Sequence, residues 1–160
     1  MSEPLAISNN TCNGVVYVDD RYFPLVIFYW VDTPDEDLCS KIFEWRDEML
    51  EKATQKGLSS IVIHHTNKLV NPPATARKRV SEVAPTGPRQ LGNYVVANSA
   101  LLRGIMTALK WMAGDSIKIT TFATMSKALT VAIETLKAAD TDVPLASAAD
   151  YVAPEGLDAS

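Results

Sequence analysis

The sequence predicts an α/β domain in which a mixed, mostly parallel sheet of five strands is packed with helices. Two observations lead to this fold class. Apolar runs such as Leu25–Val31 (LVIFYWV) and Tyr94–Ala97 (YVVA) are typical of strands that are buried on both faces. Segments with helical periodicity alternate with the runs after the first two, and strands that alternate with helices form parallel sheets through right-handed crossovers.

Taken along the chain, the elements are expected in the order β-β-α-β-α-β-α-β-α. The stretch 92–114 (GNYVVANSALLRGIMTALKWMAG) shows the repeating unit most clearly, because a strand there leads directly into an amphipathic helix. The five strands are predicted at Val15–Asp19, Leu25–Val31, Ser59–His64, Tyr94–Ala97 and Ile117–Phe122.

Helix boundaries are predicted from residues that favour helix ends. The first helix is expected to start with Thr33 as its cap, because Pro34 fits the first turn and Glu36 can close a capping box. Asn98 or Ser99 can cap the third helix. The buried stripe of that helix is predicted to be Leu102, Ile105, Met106, Leu109 and Met112. The four helices are expected to run from Thr33 to Gly57, from about Pro73 to Ala84, from Ser99 to Gly114, and from Thr124 or Ser126 to about Ala139.

The chain of 160 residues is long enough for one domain with a real core. Residues 14–139 are expected to form that domain, and residues 1–13 are predicted to be a flexible N-terminus. From residue 140 onward the sequence is rich in Ala, Asp, Ser and Pro. This composition predicts that residues 140–160 form a flexible or loosely docked tail.

Composition argues against several classes of protein. A net charge of −4 argues against non-specific binding to nucleic acid. No apolar run approaches the roughly 18–20 residues that span a bilayer, and the first residues do not resemble a secretory signal. Cys12 and Cys39 have neither metal-ligand nor redox spacing, so they fit reduced thiols in a cytoplasmic protein. We therefore expect no metal and no cofactor.

A pattern of residues in the second half of the chain resembles a known family. The pattern is a strand, a Ser-Ala-x-x-Arg-Gly helix start, a Thr-Ala-x-x-Trp continuation, a closing strand and an Ala-rich helix, with Pro-x-x-x-Arg upstream. The matching residues are Pro73, Arg77, Ser99, Ala100, Arg103, Gly104, Thr107, Ala108 and Trp111.

Over roughly residues 14–138, this pattern and the element order resemble the STAS domain, and in particular a group of small bacterial SpoIIAA-like proteins. The resemblance implies the STAS fold and a role in protein interaction or signalling. STAS antagonists carry a phosphorylatable Ser or Thr after the third strand in an Asp-Ser type motif. That motif is absent from HHTNKLVNPPATARKR, where Thr66 and Thr75 are the only hydroxyls.

His64 and His65 lie where the third predicted strand ends, which is the usual place for ligands in open α/β sheets. They are therefore candidate ligand-binding residues. The simpler interpretation is that both are ordinary histidines at a strand end. Side chains alternate along a strand, so at most one of the two can face a given cleft.

The predicted third helix carries a candidate partner surface. Arg103 and Thr107 lie opposite its apolar stripe, and Gly104 and Trp111 lie on its flank. Gly104 costs about 1 kcal/mol relative to Ala inside a helix. This cost indicates a close approach by a neighbouring helix of the same fold, by a partner or second subunit, or by a ligand. Arg77 belongs to a basic stretch that could dock an anion or a partner.

Three functions follow from these residues. The first is a non-catalytic interaction or signalling module that binds a protein partner, or a second copy as a homodimer, through Arg77, Arg103 and Trp111. The second is a carrier for a small molecule or lipid, which requires an apolar cavity lined by Met, Trp and Phe. The third is an enzyme that uses His64 or His65, and it requires an imidazole that meets a carboxylate or hydroxyl in a cleft.

Overall fold

A computed structural model describes residues 3–82, 87–114 and 119–160. Its sheet has six strands in the spatial order β1-β2-β3-β4-β5-β6. The first two pairings, β1 with β2 and β2 with β3, are antiparallel, and the three pairings from β3 to β6 are parallel. The strands are β1 (Leu5–Ser8), β2 (Val15–Asp19), β3 (Leu25–Asp32), β4 (Ser60–Leu69), β5 (Gln90–Val96) and β6 (Ile119–Phe122).

Four α-helices connect or follow the parallel strands, so the element order is β-β-β-α-β-α-β-α-β-α. The prediction of an α/β fold with a mixed, mostly parallel sheet is confirmed, with one strand more than expected. No helix within the described residues has the length and apolar character needed to cross a membrane. The helices are α1 (Glu36–Gln55), α2 (Ala74–Ser81), α3 (Ala100–Ala113) and α4 (Met125–Ala138).

The additional strand β1 lies in the segment that we predicted to be a flexible N-terminus. Leu5 and Ser8 are exposed and only Ile7 is buried, so the four-residue strand carries almost no apolar pattern of its own. It forms because its backbone pairs with β2, from Leu5 opposite Val18 to Ser8 opposite Val15. A strand held mainly by pairing with a neighbour gives little periodicity in the sequence.

The helix caps agree with the prediction at two of three positions. Ser99 caps α3 by accepting the backbone N–H of Leu102 at 3.1 Å, and Thr124 caps α4. The predicted cap Thr33 is wrong, because the N-cap of α1 is Asp35, whose Oδ1 accepts from Leu38 N at 2.8 Å. Asp is a strong cap, and its carboxylate also complements the helix dipole.

Two predicted element ends lie outside the described residues. These are Val83 and Ala84 at the end of the second helix, and Ile117 and Lys118 at the start of the last strand. Within the described part, α2 is the short helix with a thin apolar stripe that the sequence predicts, and Ala76 is its only buried residue.

Helices cover the two faces of the sheet unequally. The α4 face is covered by α4 and by residues 141–160, with Leu25, Ile27, Ile63 and Val96 of the sheet packed beneath them. The opposite face, which we call the cavity face, is covered by α1, α2 and α3, which pack on Val26, Phe28, Val62 and Val95. Alternate residues of the same strands supply the two faces, as the period of two in a strand requires.

Residues 141–160 pack on the α4 face, although we predicted a flexible or loosely docked tail. Thr141 and Leu145 are buried, and Thr141 Oγ1 accepts from the backbone N–H of Ser59 at 3.2 Å. The Tyr151 hydroxyl bonds to the Tyr29 hydroxyl and donates to Asp19 Oδ2 at 3.2 Å. Polar composition indicated a loose segment, but these few contacts are enough to dock it.

Candidate functional site

A cavity of about 440 Å³ lies between the cavity face of the sheet and helices α1, α2 and α3. Its volume falls in the range of about 300–1,000 Å³ that is usual for small-molecule sites. Most of its wall is apolar, and it includes the Trp, Phe and Met side chains that the carrier hypothesis requires. The lining that matters most here is Trp30, Phe43, Arg46, His64, Thr66, Ala76, Arg77, Val80, Asn93, Val95, Ile105, Met106 and Leu109.

The cavity exists because α2 fills little of the space that it covers. This helix has eight residues and lies between α1 and α3, touching both. Besides Arg77, it offers the small side chains of Ala76 and Val80 to the cavity, whereas the neighbouring helices contribute Phe43 and Met106. Side chains that are too small for the gap between packed elements leave a void, since protein interiors are otherwise close-packed.

His64 forms a neutral, fixed part of the cavity wall. Its Nδ1 accepts from Trp30 Nε1 at 3.0 Å, so its Nε2 carries the proton and donates to Asn93 Oδ1 at 3.0 Å. Burial, together with the positive charge of Arg46, lowers the pKa of His64 to about 3. Both ring nitrogens are therefore occupied, and the ring has no free lone pair with which to accept a proton or bind a metal.

Both charged side chains in the described lining of the cavity are arginines. Arg46 is almost fully buried, lies over the Phe43 ring, and donates to Asp47 Oδ1 at 2.7 and 3.0 Å. Arg77 is half-buried on α2. No Asp or Glu lies in the described lining. The described part of the wall is thus apolar with a positive rather than a negative bias.

His65 lies on the α4 face, and the structure separates it from the cavity. Its ring packs against Tyr29, with 5.0 Å between ring centroids, and its Nε2 contacts the carbonyl oxygen of Ser160 at 3.2 Å. Burial lowers its pKa. The strand alternation predicted that the two histidines could not share one cleft, and the structure places them on opposite faces of the sheet.

A second candidate site is the outer face of α3, which points away from the sheet. Trp111, Leu101 and Met112 are 84%, 67% and 60% exposed. Met112 was predicted to belong to the buried stripe. It follows the exposed Ala108 by one turn, so it points outward with that residue. The exposed residues of this face are Ala100, Leu101, Arg103, Gly104, Thr107, Ala108, Trp111 and Met112.

Gly104 is open to solvent in the structure. A Cβ atom built at this glycine would meet no heavy atom of the described chain within 4 Å. The expectation that a neighbouring helix of the same fold approaches it is therefore wrong. Arg103 has a local role, because its Nη1 donates to the carbonyls of Ala97 at 3.3 Å and Asn98 at 3.0 Å. Thr107 Oγ1 donates to Arg103 O at 2.9 Å.

The residues singled out in the sequence thus fall into three places. His64 and Arg77 line the cavity, His65 lies on the α4 face, and Arg103, Gly104, Thr107 and Trp111 share the outer face of α3. Sequence reasoning missed Trp30, Phe43, Arg46 and Asn93 as parts of a site. The only sequence signal for these residues was that Phe28 and Trp30, two positions apart on one strand, must lie on the same face of the sheet.

Within the described residues, no group of three or more His, Cys, Asp or Glu side chains could hold a metal ion. Cys39 is buried, as predicted, and burial raises the pKa of its thiol to about 12. No protein-family model matches this chain, and the search of curated proteins finds no match.

Proposed function

We propose that this protein is a non-catalytic binding protein that holds a small apolar ligand in the cavity beneath α1, α2 and α3. The observation that carries this proposal is the cavity itself, about 440 Å³ with a mostly apolar wall. The carrier hypothesis required such a cavity, and a solid core would have removed it. The role fits a small cytoplasmic module with the SpoIIAA-like resemblance described above.

The polar groups of the wall favour binding over catalysis. His64 has both nitrogens bonded within the protein, and Thr66 Oγ1 donates to the Val96 carbonyl at 2.8 Å. Neither side chain meets a carboxylate or a nucleophile in the cavity. Because these two side chains are already hydrogen-bonded within the protein, an apolar body beside them would leave neither of them unpaired.

The test is a fluorescence titration with N-phenyl-1-naphthylamine, a neutral apolar probe. We expect the wild type to bind it, and Ala76→Leu to weaken the binding by narrowing the cavity. Trp111→Ser is the matched control, because it removes an exposed apolar side chain outside the cavity. Loss of binding in Trp111→Ser, with Ala76→Leu unaffected, would show that the probe binds on the surface and would contradict the proposal.

Native mass spectrometry of the protein purified from its own source gives a second readout. It reports a retained ligand as added mass, and it reports the stoichiometry in the same spectrum. Because bound ligand stabilises only the folded state, loss of that mass on extraction should also lower the melting temperature.

A second candidate function is self-association through the outer face of α3. Trp is enriched among interface anchors, and α3 exposes Trp111 together with Met112 and, near the other end of the helix, Leu101. The open backbone at Gly104 would allow a second helix to approach closely. Under this proposal Arg103 and Trp111 are the main contacts with a second copy.

Sedimentation velocity over a range of concentrations tests self-association. The wild type should form a dimer as concentration rises, and the double variant Arg103→Ala/Trp111→Ala should remain a monomer. Val131→Ala, at a partly exposed apolar position on α4, is the control and should behave like the wild type. A wild type that stays monomeric at every concentration would contradict this second function.

A further inference from the structure

The charges around the cavity specify the ligand beyond its apolar character. The described lining contains two guanidinium groups and no carboxylate, and its only histidine is bonded to an indole and an amide. Among the charged groups of the described lining, a cation would meet only like charge. A ligand with a negative group would gain from the positive bias, and it would gain more here than in water because the wall is apolar.

The two arginines differ in what they can still bind. Arg46 uses its Nε and one terminal nitrogen on Asp47. The Arg77 guanidinium makes no hydrogen bond and no ion pair with any described residue. It is half-buried at the cavity, so it keeps contact with solvent while facing the apolar space. Arg77 is thus the cationic side chain that is available to a ligand.

The positions of the apolar wall and of Arg77 indicate where the two ends of a ligand would lie. Trp30, Phe43 and Met106 enclose the apolar part of the cavity. Arg77 lies on α2, the short helix over the cavity. One available guanidinium balances one negative charge and can bond both oxygens of a carboxylate. A phosphate carrying nearly two charges would leave charge uncompensated beside an apolar wall, which is unfavourable.

We propose that the ligand is an amphipathic monocarboxylic acid, with its carboxylate on Arg77 and its apolar body in the cavity. This inference rests on the proposed function and adds the chemical class of the ligand. It gives Arg77, which the sequence marked as a docking residue, a small-molecule ligand in place of a protein partner.

Isothermal titration calorimetry with decanoic acid and with decanol tests this inference, since the two probes share their apolar chain and differ in the head group. We expect the wild type to bind decanoate at least about tenfold more tightly than decanol, the factor that one charge-assisted hydrogen bond supplies. Arg77→Met, which keeps an apolar stem, should remove this preference and leave decanol binding unchanged.

Lys78→Met is the matched control, because Lys78 is an exposed cation on the same helix and does not line the cavity. It changes the net charge as Arg77→Met does and should keep the preference for decanoate. Val80→Phe narrows the cavity from a different position than Ala76→Leu, so it serves if the latter variant does not fold. It should weaken the binding of both probes.

The outcomes separate the two proposals. The acid class is overturned if the wild type binds both probes equally, Val80→Phe abolishes that binding and Arg77→Met leaves it unchanged. The apolar cavity function then stands. A preference for decanoate that Lys78→Met removes equally also overturns it, because the effect is then general attraction. No binding of either probe, or binding that Val80→Phe leaves unchanged, overturns the acid class together with the cavity function.

Discussion

The two faces of the sheet are built from alternate residues of the same strands, but their coverings differ. On the α4 face, one long apolar helix stripe and the docked tail fill the space, and the tail is fixed by Tyr151 and Leu145. On the cavity face three helices meet, and the shortest of them presents small side chains over the gap. Strand sequence therefore does not decide whether a face is solid; the size of the covering side chains does.

His64 and His65 show this difference at adjacent positions. Each is buried against aromatic rings, and each has a lowered pKa for the same main reason, burial. Yet His64 borders a cavity and is bonded to side chains of two neighbouring strands, whereas His65 contacts the backbone of the docked tail. One strand thus serves a candidate binding site on one side and a structural contact on the other.

The largest expected effect concerns the polar network that fixes the tail to the α4 face. Asp19 is buried, pairs with Arg21 at 2.8 Å, and accepts from Tyr151. Asp19→Ala should lower the free energy of unfolding by about 2–3 kcal/mol, because it removes the buried carboxylate that accepts from the partly buried Arg21 and from Tyr151. Urea denaturation measures the loss. Asp20→Ala, at the exposed neighbouring acid, should cost less than about 0.5 kcal/mol.

The next prediction compares one substitution on the two faces. Ala132 in α4 and Ala76 in α2 are both buried, but only Ala76 lines the cavity. Ala132→Leu should cost about 1–3 kcal/mol through overpacking. Ala76→Leu should leave the stability nearly unchanged, because its added methyl groups enter open space. Equal losses in the two variants, measured by urea denaturation, would mean that the cavity face is as tightly packed as the α4 face.

The third prediction uses pH to separate the two histidines. The pKa of His64 is about 3, below its ordinary value of 6.5, so the unfolded chain binds more protons between these values. The stability that His64 contributes is complete above pH 6.5 and falls as the pH drops, by up to about 1.4 kcal/mol per pH unit.

Denaturation curves at several pH values between 6.5 and 4.5 measure this slope. In His64→Gln the slope should be clearly shallower than in the wild type. The control His65→Gln should change the slope less, because the hydrogen bond to Ser160 and the negative charge of Asp158 oppose the lowering of the His65 pKa by burial. A slope that is the same in His64→Gln and in the wild type would show that His64 does not titrate as an enclosed group.

The smallest expected effect on stability concerns the outer face of α3. Gly104→Ala should stabilise the monomer by about 0.5–1 kcal/mol, since it restores helix propensity where an added Cβ meets no heavy atom of the described chain within 4 Å. Gly14→Ala is the matched control and should destabilise, because its Cβ would lie 2.7 Å from the backbone of Pro34. If Gly104→Ala instead weakens a dimer in sedimentation experiments, a second copy approaches that glycine in solution.

Part of the site was predictable from the sequence. Alternation along a strand placed the two histidines on opposite faces, and a cap residue before an apolar stripe placed Ser99 at the start of α3. The exposure of Trp111 also followed from its angle on the helix. These predictions depend on geometry within one element, which a single sequence specifies. The role of Arg103 and Trp111 in partner binding stays a prediction.

The cavity residues could not be found in the same way. Trp30, Arg46, His64 and Asn93 come from four elements, and their contacts join positions up to 34 residues apart. The tail was misjudged for a similar reason, because Asp19 and Tyr151 are separated by 132 positions. The polar composition of a segment predicts whether the segment must be buried. It contains no information on whether residues far away in the sequence contact that segment in the fold.

The sequence by itself determined the α/β class, the places of the helices, and which strand residues face the same side, because these follow from periods of 3.6 and 2 along the chain. The tertiary structure decided that a cavity lies on one face of the sheet and a packed helix and tail on the other, since that depends on which side chains meet between the sheet and its covering elements. It also decided that Arg77 lines the cavity while Gly104 is exposed to solvent. A void belongs to no residue, and it forms only where several elements together fail to fill the space between them.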